Sequence, residues 1–332
     1  MAGLKRRKPT FIRLAVAGAL AGMLGLALIY LLINKKYEWI PKPLVERARQ
    51  PDLLENPAAK RCGECHETIF KAWQQSRHAR AWVSETYIKD SENRSKEKCL
   101  PCHIPREVRA GRKPEPRLKL REEGIYCVPC HVARGKINGP YALYSPPHPT
   151  DKSDGHRKSV FCVPCHEKTY KEWRATGHDD TCQKCHMPRA AGRLVQNPIL
   201  KYFHAPKDVA DRRFPHGEIG PREIALRVDF TPGRVRVVLL NDRVPHFIPT
   251  ADNGDPRLYL TVLQFDGAGE RLDKTREILA PQQETALPYK KEVAFQYPLE
   301  KGARRLSVLV EYKPAWSQEK TEVLRESYDI NF

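Results

Sequence analysis

All ten cysteines of the chain lie in five copies of one pattern, Cys-x-x-Cys-His. In each copy the two thiols can add to the vinyl groups of a porphyrin, and the histidine that follows is held beneath the ring as an iron ligand. Zinc sites fit less well, because four cysteines per metal would leave one pair over. The pattern therefore predicts five covalently bound c-type haems, at sites numbered 1 to 5 in chain order. The thiols are Cys62 and Cys65, Cys99 and Cys102, Cys127 and Cys130, Cys162 and Cys165, and Cys182 and Cys185, and the proximal iron ligands are His66, His103, His131, His166 and His186.

The N-terminal segment is apolar over the length of a membrane span. Residues 11–33 carry one charge, Arg13, and the uncharged run 14–33 would extend roughly 30 Å as a helix. A cleaved signal peptide would have a shorter apolar region, followed by a small-residue cleavage site that this chain lacks. Covalent haem attachment takes place outside the bacterial cytoplasmic membrane. We therefore expect a single-pass inner-membrane protein that contacts the lipid bilayer through residues 11–33 and exposes its haems to the periplasm.

The chain is strongly basic, with a formal net charge of +18. Such a charge is typical of proteins that bind nucleic acid or anionic membranes. Five haems would bring about ten propionate charges, which would leave the assembled protein mildly basic. Nucleic acid is therefore not expected as a partner, whereas an acidic redox protein would be attracted.

An internal repeat organises the motif region. Residues 62–78 and 162–178 align at an offset of 100, and the next motif after each unit also matches. Sites 1 and 2 thus resemble a duplicate of sites 4 and 5, with site 3 between them. The absence of Pro and Gly from residues 64–82 predicts one continuous helix in the first unit. Outside the motif itself the repeat preserves Glu67/Glu167, Lys71/Lys171, Trp73/Trp173 and His78/His178.

The sixth iron ligands are expected to be histidines. Met187 directly follows proximal His186, so it cannot reach the opposite face of the same haem. His78 and His178 are the strongest candidates, because the repeat preserves both. Twelve helical residues span about 18 Å, so each would serve a haem other than the one at its own motif. His246 comes next, and two pairs of alternatives remain, His148 or His156 for one site and His204 or His216 for another.

Two regions that differ in composition and sequence pattern follow the anchor. Residues 61–218 supply 158 residues for five haems, too few for a side-chain core around each, so a mostly α-helical and irregular domain should pack around the porphyrins. Residues 219–332 contain no cysteine and show alternating β-branched runs between turn signals. They predict an all-β sandwich of immunoglobulin type. The expected strands are 222–230, 234–240, 257–265, 271–279, 288–297, 304–313 and 322–330, and the other segments are a cytoplasmic tail with a transmembrane helix over 1–34 and a linker over 35–60.

These motifs resemble a known family. The pattern CHExxxxxWxx[ST]xH at 65–78 and 165–178, together with Cys-His-Met-Pro at 185–188, is similar to multihaem cytochromes related to the tetrahaem acceptor of hydroxylamine oxidoreductase, in the group with an added immunoglobulin-like domain. The resemblance implies that the histidine of a Gly-His-x-x-Pro-Thr-Gly loop, here His246, is a distal haem ligand. The chain departs from that loop at Pro245 and Ala251.

The sequence thus favours an electron carrier over an enzyme. We expect relay between a membrane donor, quinol-linked or other, and a periplasmic cytochrome or reductase. One alternative is a reductase or oxidase of small nitrogen or sulfur compounds that works at a haem with an open sixth position. Another is a haem subunit of a larger respiratory complex.

Overall fold

The computed structural model describes residues 18–29, 49–143, 145, 147–198, 200–215 and 219–331. Residues 18–29 are helical, and the rest of the predicted anchor over 11–33 lies outside the described residues, as does His216. Within the described part of the chain, no helix has both the length and the apolar character needed to cross a membrane.

The haem-motif region is built from short helices joined by turns. The α-helices are α1 (Ala59–Gly63), α2 (Glu67–Gln74), α3 (Glu85–Asp90), α4 (Leu100–His103), α5 (Cys127–His131), α6 (Glu167–Ala175) and α7 (Cys182–His186). Short 3-10 turns occur at Pro51–Leu54, Glu97–Cys99, Arg121–Glu123, Asp154–Arg157, Ser159–Cys162 and Leu200–Phe203. Small strands complete the region, namely β1 (Val132–Ala133), β2 (Lys136–Gly139), β3 (Thr150–Lys152), β4 (Arg189–Gly192) and β5 (Lys207–Ala210).

The continuous helix expected in the first repeat unit is wrong, because α2 ends at Gln74. The hydroxyl of Ser76 accepts a hydrogen bond from the Ala79 backbone N–H at 3.1 Å, which replaces a helical bond with a turn. The carbonyl of His78 then accepts the Ile125 N–H at 2.9 Å. His78 is therefore held by a tertiary contact and not by helix geometry. In the second unit, α6 ends at Ala175, just before Gly177 at φ +69°.

The C-terminal region is all β and has two antiparallel sheets. Its strands are β6 (Ile224–Thr231), β7 (Arg234–Asn241), β8 (Arg257–Phe265), β9 (Arg271–Leu279), β10 (Glu292–Pro298), β11 (Arg305–Lys313) and β12 (Thr321–Asp329). One sheet has the order β10-β7-β6 and the other the order β12-β11-β8-β9. A 3-10 turn at Pro281–Gln283 follows β9. All seven strands overlap the segments predicted from the alternating pattern.

The apolar core of the protein lies between these two sheets. Alternate residues of the central strands point inward, as strand geometry requires, and all are at most 1% exposed. They are Val235, Val237 and Leu239 of β7, Leu258, Leu260 and Val262 of β8, and Leu306, Val308 and Val310 of β11. The second cluster found among the described residues is small: Ala59, Tyr126 and Val128 form it, and it belongs to the motif region. That contrast fits a motif region that packs around cofactors.

Polar contacts join the motif region to the β region. They centre on the first turns of α6 and on the loop after β7. The Glu172 carboxylate accepts hydrogen bonds from the Phe247 N–H at 3.2 Å and from the Thr250 hydroxyl at 2.7 Å. The ammonium group of Lys168 donates to the Pro281 carbonyl at 2.6 Å. The loop after β7 is thereby fixed beside the motif of site 4.

Candidate haem sites

Each Cys-x-x-Cys-His motif folds as a tight helical turn. The His66 N–H donates to the Cys62 carbonyl at 3.0 Å, and the His166 N–H donates to the Cys162 carbonyl at the same distance. Residues three and four apart share one face of such a turn. The two thiols and the histidine of a motif therefore project to one side, as attachment of a single porphyrin requires.

The Nδ1 atoms of the proximal histidines face fixed acceptors. His66 meets the Leu194 carbonyl at 2.6 Å, His103 the Ala81 carbonyl at 2.5 Å, His131 the Asn138 carbonyl at 2.7 Å and His186 the Pro215 carbonyl at 3.0 Å. A protonated Nδ1 that donates to a carbonyl leaves Nε2 as the metal-binding atom. The chain thus presets the tautomer that iron binding requires.

Three proximal rings face a second histidine at one common spacing. The ring centroids are 6.4 Å apart in the pairs His66–His148, His78–His166 and His186–His246. A metal–imidazole bond is about 2.0 Å long and the ring nitrogen lies about 1.1 Å from the ring centre, so two imidazoles on one metal have centroids roughly 6.2 Å apart. The spacing fits bis-histidine iron at sites 1, 4 and 5.

Three buried histidines of the haem sites, His78, His131 and His148, are neutral. Burial lowers the pKa of His78 and of His131 to about 3, and that of His148 to about 4, with a further lowering in each case from a neighbouring histidine. Neutral imidazole is the form that binds metal ions. The donor set therefore fits haem iron.

Site 3 has a different neighbour. The ring of His156 stacks on that of His131 with centroids 5.0 Å apart and an angle of 11° between the planes. This spacing is shorter than that of the three other pairs, and the Nε2 atom of His156 lies 3.0 Å from the Cys130 carbonyl. Of the alternatives His148 and His156, the structure places His148 in the geometry of a distal ligand.

Site 2 has an aromatic neighbour. The ring of Tyr87 stacks on that of proximal His103, with centroids 3.8 Å apart. Tyr87 is 7% exposed, and its hydroxyl has no hydrogen-bond partner among the described residues. Among the described residues, His103 is thus the one proximal histidine whose ring packs against a tyrosine.

Two further candidate ligands do not face a proximal ring at the bis-histidine spacing. The ring of His178 meets Tyr289 of the β region edge-on at 6.2 Å, and its Nδ1 accepts the Asp180 N–H at 3.1 Å. Burial and the nearby His66 lower the pKa of His204, which places it beside site 1. The repeat therefore preserves the histidine at 178 but not the surroundings of His78.

His246 is held rigidly at site 5 by the loop after β7. The side-chain amide of Asn241, which is fully buried, donates to the carbonyls of Val244 and His246 at 3.0 and 2.7 Å. The backbones of Ile248 and Leu287 exchange two hydrogen bonds beneath the loop. The Nδ1 atom of His246 lies 2.9 Å from the Phe247 carbonyl, which leaves Nε2 for iron.

Thiols from different motifs adjoin one another. The thiols of Cys62 and Cys127, of Cys102 and Cys165, and of Cys162 and Cys182 are close enough to shift one another's pKa, and Cys130 lies within electrostatic range of Cys162 and Cys165. Each thiol marks the edge of the porphyrin to which it would bond. The pairs therefore connect sites 1 and 3, 2 and 4, 4 and 5, and 3 and 4, so site 4 is a branch point with three neighbours.

A basic cavity of about 300 Å³ lies beside His78. Its lining includes Arg77, Arg80, Arg213 and Phe214, and the Phe214 ring contacts the His78 ring at 4.3 Å. Burial, together with the adjacent Arg80, lowers the pKa of Arg77. Guanidinium groups of this kind suit the propionates of a neighbouring haem.

Sequence reasoning missed two acidic residues of the site. Neither of them was named from the sequence, yet Glu172 is 7% exposed and the Asp252 carboxylate lies 3.8 Å from the Nδ1 of His166. Asp252 follows His246 by six positions in the same loop. The signal available in the sequence was the position of Asp252 directly after the loop that resembles Gly-His-x-x-Pro-Thr-Gly.

Comparison with known proteins agrees with this geometry. Residues 61–132 match the family model of cytochrome c554 and c-prime. A penta-heme cytochrome c552 from Thermochromatium tepidum superimposes with a TM-score of 0.59 over 83% of this chain and 100% of the other, at 18% sequence identity. The chain has the fold of a multihaem cytochrome c. A hypothetical protein from Pyrococcus horikoshii, 7% identical, covers 35% of this chain and 93% of its own with a TM-score of 0.22, too low to indicate a shared fold. The comparison with curated proteins found no match to this chain.

Proposed function

We propose that the chain is a membrane-anchored periplasmic pentahaem cytochrome c that relays electrons between a membrane donor, quinol-linked or other, and a periplasmic cytochrome or reductase. The observation that carries this proposal is the connected series of thiols, which links all five motifs. Haem edges joined in this way would let electrons cross the protein without entering solvent. The penta-heme description of the superimposed cytochrome supports the haem count.

The anchoring part of the proposal is supported by the helix over 18–29. Large apolar side chains of this helix are between 47% and 70% exposed, a surface that a bilayer would cover. They are Leu20, Met23, Leu24, Leu26, Leu28 and Ile29.

The β region belongs to the redox unit in this proposal. We take it to be an immunoglobulin-type sandwich, a reading supported by its two face-to-face antiparallel sheets of three and four strands. Its loop after β7 supplies His246 to site 5 and Asp252 to site 4. The sandwich would then act as a rigid support for two haem sites.

A second function, catalysis at an open haem, has one observation in its favour. The described ring contact of His103 is with Tyr87 and not with a histidine. A haem at site 2 with no sixth protein ligand would be high-spin and could bind a small molecule at iron.

The test uses the full chain made in a host that attaches c-type haem. Denatured mass should correspond to five haems, and the protein should fractionate with inner membranes. A quinol should reduce the haems in membrane vesicles, while a truncated variant, in which a cleaved signal peptide replaces residues 1–34, should be soluble and have the same haem spectrum. Fewer than five haems per chain, or membrane association that persists in the truncated variant, would contradict the proposal. Rapid turnover of nitrite or hydroxylamine by the purified protein would favour the enzyme.

A further inference from the structure

One of the five proximal histidines has a partner unlike the others. At sites 1, 2, 3 and 5 the Nδ1 atom faces a backbone carbonyl at 2.5 to 3.0 Å. At site 4 the Nδ1 of His166 faces the Asp252 side chain, with Oδ2 at 3.8 Å. The proximal ring of site 4 alone therefore has an anionic partner among those five contacts.

The internal repeat supplies a direct comparison. The backbone N–H two residues after the proximal histidine, at the start of the following helix, is capped in both units by a distant side chain. The backbone N–H of Thr68 donates to the neutral amide oxygen of Gln196 at 3.2 Å, whereas the backbone N–H of Lys168 donates to the Asp252 carboxylate at 2.5 Å. The duplicated sites thus share a backbone arrangement and differ in charge.

Asp252 is fixed in this position. Its Oδ2 atom also accepts the Thr169 hydroxyl at 3.1 Å, and 14% of its side chain is exposed, against 56% for His166. The Lys168 N–H and the Thr169 hydroxyl thus hold the Asp252 side chain against the proximal ring of site 4.

We infer that Asp252 is a positioning residue of haem site 4, whose carboxylate acts through His166 to lower the reduction potential of the haem bound there. A carboxylate beside Nδ1 makes the ring a more basic ligand through Nε2, and a more basic ligand stabilises ferric over ferrous iron. The inference rests on the proposed haem loading of site 4, but not on the membrane anchor or on any redox partner.

The location of this site gives the effect its importance. Site 4 adjoins sites 2, 3 and 5 through neighbouring thiols. Its potential sets the driving force of all three transfers that meet there. The β region would thus tune the branch point of the haem series through one side chain, while it completes site 5 through another.

The test is a redox titration of the holoprotein with Asp252→Asn, which keeps the size of the side chain and removes its charge. One of the five midpoint potentials should rise, by about 59 mV for a tenfold change in the relative stability of the two iron states. Asp255→Asn is the matched control: it removes a charge from the same loop, but Asp255 pairs with Arg257 and Lys313. It should leave all five midpoints in place.

A wild-type measurement tests the inference if Asp252→Asn does not fold. Near-infrared magnetic circular dichroism of the ferric protein should resolve one low-spin haem with imidazolate-like axial ligation. Five unchanged midpoints in Asp252→Asn, an equal shift in Asp255→Asn, or uniform neutral-imidazole signals in the wild type would each overturn it. Haem loading is read separately from the denatured mass, so a failure of loading is distinguishable from a failure of tuning.

Discussion

Gly124 occupies a position where a single methyl group should displace a haem ligand by colliding with its backbone. Its backbone has φ +56° and ψ −126°, a conformation that side-chain-bearing residues rarely adopt. A Cβ there would overlap the His78 carbonyl oxygen and lie 3.0 Å from both the Ala79 carbonyl oxygen and the Ala81 nitrogen. All three are backbone atoms, so the clash can be relieved only by moving the segment that carries His78.

The cost of Gly124→Ala follows from these contacts. The backbone conformation alone costs about 1 to 3 kcal/mol for alanine. Displacement of the His78 carbonyl also weakens the bond it accepts from the Ile125 N–H at 2.9 Å, which contributes about 1 kcal/mol. We expect the free energy of unfolding to fall by about 2 to 4 kcal/mol. The shift of His78 away from His166 should turn one low-spin haem high-spin.

Gly177→Ala is the matched control in the duplicated unit. Gly177 also has a positive φ, +69°, but an added Cβ would have no atom within 4 Å. Alanine there should cost about 1 to 2 kcal/mol from the left-handed backbone alone, with no change of spin state. Denaturant unfolding gives the free energies, and electron paramagnetic resonance of the ferric protein gives the spin states. Equal destabilisation by the two variants, or an all-low-spin spectrum for Gly124→Ala, would refute the steric argument.

Three other predictions concern the β region and its contacts. His246→Ala should convert one haem to high spin with covalent haem content intact, whereas an unchanged spectrum would remove His246 from the ligands. Leu260→Ala, at a fully buried position between the sheets, should lower the free energy of unfolding by about 2 to 5 kcal/mol in denaturant melts, while Leu272→Ala, 41% exposed, should change it little. Burial raises the pKa of Glu172, so its ionisation should destabilise the fold as pH rises above about 4.5. The free energy of unfolding of Glu172→Gln should therefore increase relative to that of the wild type as the pH rises from 4 to 8. A difference between the two proteins that does not change over this pH range would contradict the prediction.

The parts of the fold that sequence could predict are those fixed by local pattern. The seven strands follow an alternation whose inward members, such as Val308 and Leu260, are fully buried. The haem motifs are equally local, because attachment chemistry dictates the spacing of their residues. The repeat also led to His78, which the structure places 6.4 Å from His166. Membrane anchoring, cellular location, redox partners and the full ligand set stay predictions.

Long-range contacts determined what sequence reasoning could not predict. The helix expected to reach His78 ends at Gln74, because the Ser76 turn and the Ile125 contact compete with helical bonds. The position of Asp252 at site 4 depends on a contact between residues 84 apart in sequence. His178 has the same sequence spacing as His78, yet its ring meets Tyr289 of the β region, a contact that the sequence spacing does not reveal.

The order of the chain has a consequence for how the protein matures. His246 and Asp252 both follow the last haem motif, which ends at His186. Sites 4 and 5 therefore acquire these partners only after the C-terminal third has been synthesised and folded, while all ten cysteines are available earlier. A chain interrupted after residue 218 would retain every thiol needed for haem attachment and lack the groups that finish two of the sites. Covalent haem content alone would then not distinguish such incomplete molecules from complete ones, whereas the haem spin state would.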